Sequence, residues 1–579
     1  MDDAAMVGAQ ADEELDAHVE EALRLVSAPP HEPTSDPDAP LGDDVVSPTD
    51  ASGPPAGAHD TRGLRRRTMR GMWLMGSSAG IQAVLQIVFV GVLAHLIAPK
   101  QYGLVTGALV AVSLSTILAE SGIGAAVVQR KTLEPIHIRV GWTLSIMIGI
   151  FFWAVLALAA PAVQALMHLH GLVPILRVVA LIFVINSLTL GNYLLARRLQ
   201  FGRLAIAECS AYAFGYGLVA SVLAWRGYGP WAIVGGQLGQ AVVLNGLSYA
   251  FAPHSILPAF RRQPAKELLS YGGGHTIARI GQWASVNADD IVVSRFLGAA
   301  NLGLYGRSYQ LVNMPANLFG QVANDVLFPA MAAVQDQKER LRRVLRLAVG
   351  FLAGVSLPIT AVAAVTSKEL VLVLLGRDWL PLRDAFDVIV FGMLFRTSVK
   401  LSDSVARATG AVYRRAWRTW LFACLVAIGA LSGAHWGLHG VAFGVLAALL
   451  INYLVMSQLG LNITGMPWRE FFVAHLPGFT LAIVAGGVAY AAQYGLQAVH
   501  VKRFEQLILV WLIAFLGTVL AIRVAPRIPG LKNVARFLVD FRELFRGRQQ
   551  QILSRLLGSL YPPPRQRVRD PNEKVASRS

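Results

Sequence analysis

Charged residues are scarce. Asp, Glu, Lys and Arg make up 15% of the 579 residues against 54% hydrophobic ones, which excludes an ordinary soluble multidomain protein. Cysteine is scarcer still: Cys209 and Cys424 both lie in apolar runs and share no metal-ligand spacing, so a disulfide framework and a zinc site are excluded and both read as packing residues. A cleavable signal is not expected, because Met1–Arg24 is acidic and has no short apolar core flanked by basic residues; the first apolar segment is expected to serve as the insertion signal. His168, His170, His435 and His439 fall in expected outward turns without a carboxylate at metal-site spacing, and read as interfacial. Gly272-Gly-Gly274 and Gly122-Ile-Gly124 lack the strand-turn-helix context of a phosphate loop and are expected to let helices approach or bend. No cofactor is implied.

What the chain has in abundance is apolar runs long enough to cross about 30 Å of hydrocarbon, each needing about 20 helical residues. The expected fold is an all-α polytopic membrane protein with about fourteen transmembrane helices. They span 72–98, 103–128, 140–166, 173–196, 204–225, 230–252, 271–298, 302–327, 345–366, 385–408, 416–434, 437–460, 471–493 and 505–523. The second, seventh, eighth and tenth are the most polar.

The net charge of +16 is unevenly spread: residues 1–61 hold fifteen Asp and Glu against the single base Arg24, so the rest carries about +30. That acidic segment cannot bury enough apolar surface to fold alone and is expected to be a solvated tail, with room for a short helix over Asp12–Val26. Loop charges alternate. One set of loops, from Arg62, Arg65, Arg66, Arg67 and Arg70 to Arg414, Arg415, Arg418 and Arg469, carries twenty-three Lys and Arg, and the opposite set carries seven. Basic residues in short loops are retained in the cytoplasm, so both termini are expected there; the charge needs no nucleic acid to explain it. The outward loops are short, which excludes a soluble outward domain. The tail 527–579 carries basic amphipathic pieces, with Phe537, Leu538, Phe541, Leu544 and Phe545 among Arg536, Arg542 and Arg546, suited to an anionic lipid surface or a docking partner.

A weak internal repeat divides the chain. Leu96-Ile-Ala-Pro-Lys-Gln-Tyr-Gly103-Leu104 and Phe296-Leu-Gly-Ala-Ala-Asn-Leu-Gly303-Leu304 each follow the first helix of a block of six. The expected plan is therefore two six-helix lobes, 62–260 and 261–460, related by an axis along the membrane normal around a central cavity. Two further helices occupy 461–526.

The stretch Asn287–Tyr309 sets Asp289, Asp290, Arg295 and Arg307 into apolar sequence. A charge at the bilayer centre costs about 2.5–3.5 kcal/mol on insertion scales, so such residues are expected to face a wet protein interior or to pair near a membrane face. Arg279, Arg295, Arg307, Arg396, Lys400 and Arg407 all fall in apolar spans of the second half. Arginine offers a permanent charge and two parallel donors to phosphate oxygens. Arg279, Arg307 and Arg396 are the expected headgroup contacts, while Arg295 and Arg407 suit snorkelling near an interface. Asp289, Asp290, Asp325, Asp403 and Glu120 serve either to balance these arginines or, for one of them, to bind a coupling proton or sodium ion. Asp403 can share a helix face with Lys400 and Arg407. Tyr305, Tyr309, Asn313, Asn317, Gln82 and Gln86 suit sugar stacking and hydrogen bonding, and suit helix packing equally.

Asp290-Ile-Val-Val-Ser-Arg-Phe-Leu-Gly-Ala-Ala-Asn-Leu-Gly303-Leu-Tyr305, Leu311-Val-Asn-Met-Pro315, Val326-Leu-Phe-Pro329 and Leu374-Leu-Gly376-Arg-Asp-Trp379 carry a family resemblance. Over roughly residues 70–480 the chain resembles the Wzx and WzxC-type polysaccharide flippases of the multidrug/oligosaccharidyl-lipid/polysaccharide exporter (MOP) superfamily. The resemblance implies two six-helix lobes, a cavity that alternates between the membrane faces, and a non-enzymatic translocation. The implied cargo is an oligosaccharide on polyprenyl pyrophosphate, carried across a bacterial cytoplasmic membrane for exopolysaccharide, capsule or O-antigen, with a polymerase and export proteins as partners. The competing classes are an ion-coupled drug exporter, which an excess of cavity arginines disfavours, and a membrane polymerase or glycosyltransferase, which should carry a sizeable outward domain. A lipid II flippase shares the pyrophosphate.

Overall fold

The computed structural model describes residues 80–119, 123–130, 133–269, 276–322 and 327–524. The acidic segment 1–61, the start of the first expected span, the basic tail 527–579, the two glycine groups at 122 and 272–274, and the candidates Glu120 and Asp325 lie outside these described residues, in whole or in part.

Among the described residues every regular element is a helix. In the first half these are α1 (Gly80–Leu96), α2 (Pro99–Ala119), α3 (Ile123–Gln129), α4 (Pro135–Met167), α5 (Leu172–Val179), α6 (Ile182–Ser187), α7 (Gly191–Arg197), α8 (Phe201–Trp225), α9 (Pro230–Phe251) and the short α10 (Arg262–Leu269). The second half follows with α11 (Thr276–Val322), α12 (Phe328–Ala332), α13 (Lys338–Val365), α14 (Ser367–Leu374), α15 (Arg383–Ile389), α16 (Met393–Ala408), α17 (Val412–Gly433), α18 (Gly437–Thr464), α19 (Trp468–Ala498) and α20 (Arg503–Val524). Proline opens α2, α4 and α9, where its missing N–H costs nothing and its fixed φ suits the first helical turn.

Among the described residues seven helices are long and apolar enough to cross a membrane, and an eighth if the chain from α5 to α7 is taken as one span bent by 45°. That bend falls at Thr189, whose hydroxyl accepts the Gly191 N–H at 2.9 Å and so offers the backbone an alternative to helical pairing. One of the seven, Tyr413–Thr464, runs through 52 residues. At 1.5 Å per residue a straight helix of that length would reach roughly 78 Å, over twice the hydrocarbon thickness. It is instead folded back at Ala434–Trp436, so that α17 packs along α18. The 47-residue α11 does the same at Gly298, whose φ of 83° is open to glycine and strained for other residues. Large apolar side chains stand exposed around the outside, Leu158 at 80% for example, which suits lipid and not water.

The expected repeat becomes a contact. α2 packs along the second limb of α11, and the two cross backbone to backbone at Gly103 and Gly303. A Cβ on Gly103 would stand 1.7 Å from the Ala299 carbonyl oxygen, and one on Gly303 would stand 2.0 Å from that of Pro99. Each glycine thus meets the carbonyl four residues before its counterpart, the mark of a local two-fold relation. Trp379, fully buried, seals this end: its indole donates to the Ala94 carbonyl at 2.8 Å and its ring meets Tyr102 edge-on at 5.3 Å.

Candidate functional site

Below that seal lies a cavity of about 740 Å³, walled on one side by α1, α2, α8 and α9 and on the other by both limbs of α11. The first wall supplies Gln82, Gln86, Tyr102, Thr106, Tyr212, Tyr216 and Gln240; the second supplies Asp290, Arg307, Tyr309, Gln310, Asn313 and Asn317. α8 widens into a π-helical stretch over Ala213–Ala220, and Tyr212 and Tyr216 stack there at 5.0 Å with 28° between their planes.

Arg307 comes from the second limb of α11 and is only 8% exposed. Its guanidinium carbon sits 3.8 Å from the centroid of the Tyr102 ring and its Nη1 donates to Gln310 Oε1, while Nε has no hydrogen-bond partner among the described residues. Arg396, from α16, stands just behind the cavity wall. Its guanidinium carbon lies 4.0 Å from the Tyr309 ring centroid, its Nη1 donates to Asn313 Oδ1 at 2.7 Å, and its Nε likewise has no partner among the described residues. Neither arginine has a carboxylate within ion-pairing distance among the described residues. A desolvated cation over an aromatic face is stabilised by about 2 kcal/mol, which holds the charge in place without neutralising it.

The carboxylates come from the first limb of α11. Asp289 is 1% exposed and accepts the Tyr305 hydroxyl at 2.7 Å, and the Tyr305 ring lies 5.1 Å from that of Tyr309. Asp290, one residue on, turns into the cavity. The chain from Asp289 through Tyr305, Tyr309 and Arg396 to Asn313 therefore backs the cavity with one continuous polar network.

Other expected site residues are placed elsewhere. Arg279 lines a second cavity of about 610 Å³ with Thr116, Gln129, Asn186 and Tyr193, and does not join Arg307. Asp403 is ion-paired to Arg407 (Nε to Oδ2, 3.2 Å) and to Arg415, while Lys400 reaches the Ala316 carbonyl at 3.4 Å. Arg295 is exposed and donates to the Leu166 carbonyl at 2.8 Å. Sequence reasoning missed Tyr102, Tyr212, Tyr216, Gln240 and Gln310. The spacing of four between Tyr212 and Tyr216 in an apolar helix is the one local signal for any of them.

Fold and cavity together define a class: a polytopic helical membrane protein built around an internal polar chamber between two sets of helices. Two solved structures share the fold. The lipid II flippase MurJ in an inward closed conformation aligns with a TM-score of 0.60 and 12% identity over 79% of this chain and 98% of that one. An inward-facing multidrug resistance MATE family transporter of the MOP superfamily aligns with a TM-score of 0.51 and 15% identity over 66% of this chain and 95% of that one. The chain belongs to the polysaccharide biosynthesis protein family, whose model matches residues 92–384. Its relatives include the lipopolysaccharide biosynthesis protein WzxC of Escherichia coli (strain K12), 25% identical over 74% of this chain and 88% of that one. The succinoglycan biosynthesis transport protein ExoT of Rhizobium meliloti (strain 1021) is 24% identical over 69% and 86%.

Proposed function

We propose that the protein translocates a polyprenyl-pyrophosphate-linked oligosaccharide across the bacterial cytoplasmic membrane by alternating access, for surface polysaccharide assembly. The observation that carries this reading is the pair Arg307 and Arg396, held over tyrosine rings and by amides at the central cavity and, among the described residues, left without an ion pair. A buried arginine with its own carboxylate is already neutralised; one without calls for an anion from outside. A pyrophosphate supplies it, in the bidentate geometry that guanidinium favours. The tyrosines and amides around it suit a sugar. A volume of about 740 Å³ falls in the range of small-molecule sites, enough for the pyrophosphate and adjoining sugar, with the polyprenyl tail remaining in lipid.

In this reading the chain crosses the membrane about fourteen times, with lobes 62–260 and 261–460, two added helices in 461–526, and both termini in the cytoplasm. The crossing at Gly103 and Gly303 then closes the outward face. Arg307, Arg396, Tyr305, Tyr309 and Asn313 hold the headgroup, directly or through the network, and Asp290 is the carboxylate placed to bind a coupling ion. Arg279 serves the entry side, on its separate cavity. The work is transport and not catalysis, and a polymerase and export proteins act on the delivered units.

The test is deletion of the gene, extraction of lipid-linked sugars, and assay of the exposed face with a reagent that cannot cross. Complete repeat units on the cytoplasmic face, with surface polysaccharide lost, are expected. Polymer-deficient units already facing outward would make the protein an enzyme, and an unchanged pool with new drug sensitivity would make it an exporter.

A further inference from the structure

A second concentration of arginine lies well away from the central cavity. Where α13 and α19 begin side by side, Arg340, Arg342, Arg343 and Arg346 surround a cleft of about 440 Å³ together with Glu339 and Glu470. Glu470 is the organiser: it accepts from Arg342 through Nε at 2.8 Å and through Nη2, and its other oxygen lies 3.7 Å from Arg346 Nη1. That arrangement spends one carboxylate on two arginines. Arg340 and Arg343 are exposed and carry no ion pair among the described residues.

Further along the two helices stand exposed apolar side chains. Val473, three residues after Glu470 and so on the same face of α19, is 52% exposed. Phe351, eight residues after Arg343 on α13, is 38% exposed. Trp468 stacks on the exposed Phe472 at 5.5 Å, and an indole with one apolar and one polar side sits best at the level of lipid headgroups. None of the residues lining the central cavity comes from α13 or α19. We infer that this cleft binds the headgroup of an anionic phospholipid, with the phosphate between Arg340 and Arg343 and the acyl chains against Val473 and Phe351. A basic pocket between membrane helices recognises such a headgroup by charge and by the geometry of its phosphate oxygens. A free phosphate would use the arginines and leave the apolar side chains without a purpose. Its placement on the cytoplasmic leaflet rests on the topology proposed above; the binding itself does not.

The experiment is native mass spectrometry of the full chain in neutral detergent, titrated with phosphatidylglycerol or with phosphatidylcholine, for the wild type and for Arg340→Gln/Arg343→Gln. These two side chains are exposed and carry no ion pair among the described residues, so the double variant is expected to keep its helix content by circular dichroism. Phosphatidylglycerol binding should fall by about fivefold for each arginine removed, the effect of one basic residue near an anionic surface, with phosphatidylcholine adducts unchanged. Wild-type phosphatidylglycerol binding in the double variant would overturn the inference. So would displacement of the lipid by an equal concentration of inorganic phosphate, which would mark a soluble-anion site, or by a polyprenyl phosphate one for one, which would mark a cargo site. Arg307→Ala is expected to bind phosphatidylglycerol as the wild type does, which separates a failure here from a failure of the flippase reading.

Discussion

The central cavity and the cleft at the start of α13 and α19 both gather arginines, and they hold them in different ways. At the cleft a carboxylate, Glu470, sits between Arg342 and Arg346. In the cavity Arg307 and Arg396 lean on the rings of Tyr102 and Tyr309 and on the amides of Gln310 and Asn313, while Asp289 accepts the Tyr305 hydroxyl. A carboxylate gives an arginine a permanent partner and a fixed place. A ring and an amide give it a fixed place only. The cavity arginines are thus positioned and unsatisfied, the condition for binding an anion that must also leave.

Removing the unsatisfied charge is expected to have the largest effect. Arg307→Ala should lower export by roughly a hundredfold, the consequence of losing about 3 kcal/mol of contact to a buried charged partner, with insertion unchanged. Surface polysaccharide in a complemented deletion strain is the assay, and wild-type export would remove Arg307 from the site. Arg307→Lys sharpens the comparison, because it keeps the charge and loses both the fork and most of the stacking; about a tenfold loss is expected. Full retention would mean that a point charge suffices.

Next in size is the closure above the cavity. A methyl on Gly303 has no room against the Pro99 carbonyl, so Gly303→Ala must push α2 and α11 apart at a cost of about 1–3 kcal/mol. Export is expected to fall about tenfold by that amount of strain. In a Cys209→Ala/Cys424→Ala background, Thr106→Cys should become reactive to an impermeant thiol reagent added outside. Unchanged labelling would show that this crossing is not the outer seal.

How much of this was legible beforehand follows from where the chemistry lies. The positions of α4, α8, α9 and α17 to α20 are set by long apolar runs and fall within a few residues of the expected spans, whereas α13 begins at Lys338, well before the expected 345. The stretch through Asp290, Arg307, Tyr309 and Asn313 stood out because charge inside apolar sequence is costly, and the structure gathers those four at one cavity. Tyr102 and Tyr212 did not stand out, since a tyrosine in a membrane helix is unremarkable until its neighbour is known, and the neighbour of Tyr102 is two hundred residues away. Arg279 looked like Arg307 by composition. What separates them is which cavity each reaches, and no local pattern carries that. The Gly103 and Gly303 repeat was visible as a weak match of turns; only packing turns it into a contact.

The smallest effect expected concerns a third arginine, held like those of the cleft by a carboxylate. The linker helix α10 buries Leu268 and anchors Glu267 to Arg130 at 2.7 Å, with His137 Nε2 3.4 Å away and Glu134 beyond it at 3.9 Å from Nδ1. The Arg130 hydrogen bond, helped by Gln263, holds the Glu267 carboxyl below its ordinary value. A depressed carboxyl stabilises the folded state at every pH above the unfolded pKa of about 4.3, and that contribution is lost as pH falls through the folded pKa. Glu267→Gln should therefore lower the melting temperature slightly at pH 7, and the gap to the wild type should close below pH of about 4. Measured in a His137→Gln background, the imidazole's contact to Glu267 drops out of the comparison. A gap that stayed constant down to low pH would mean that Glu267 stabilises α10 by packing and not by its charge.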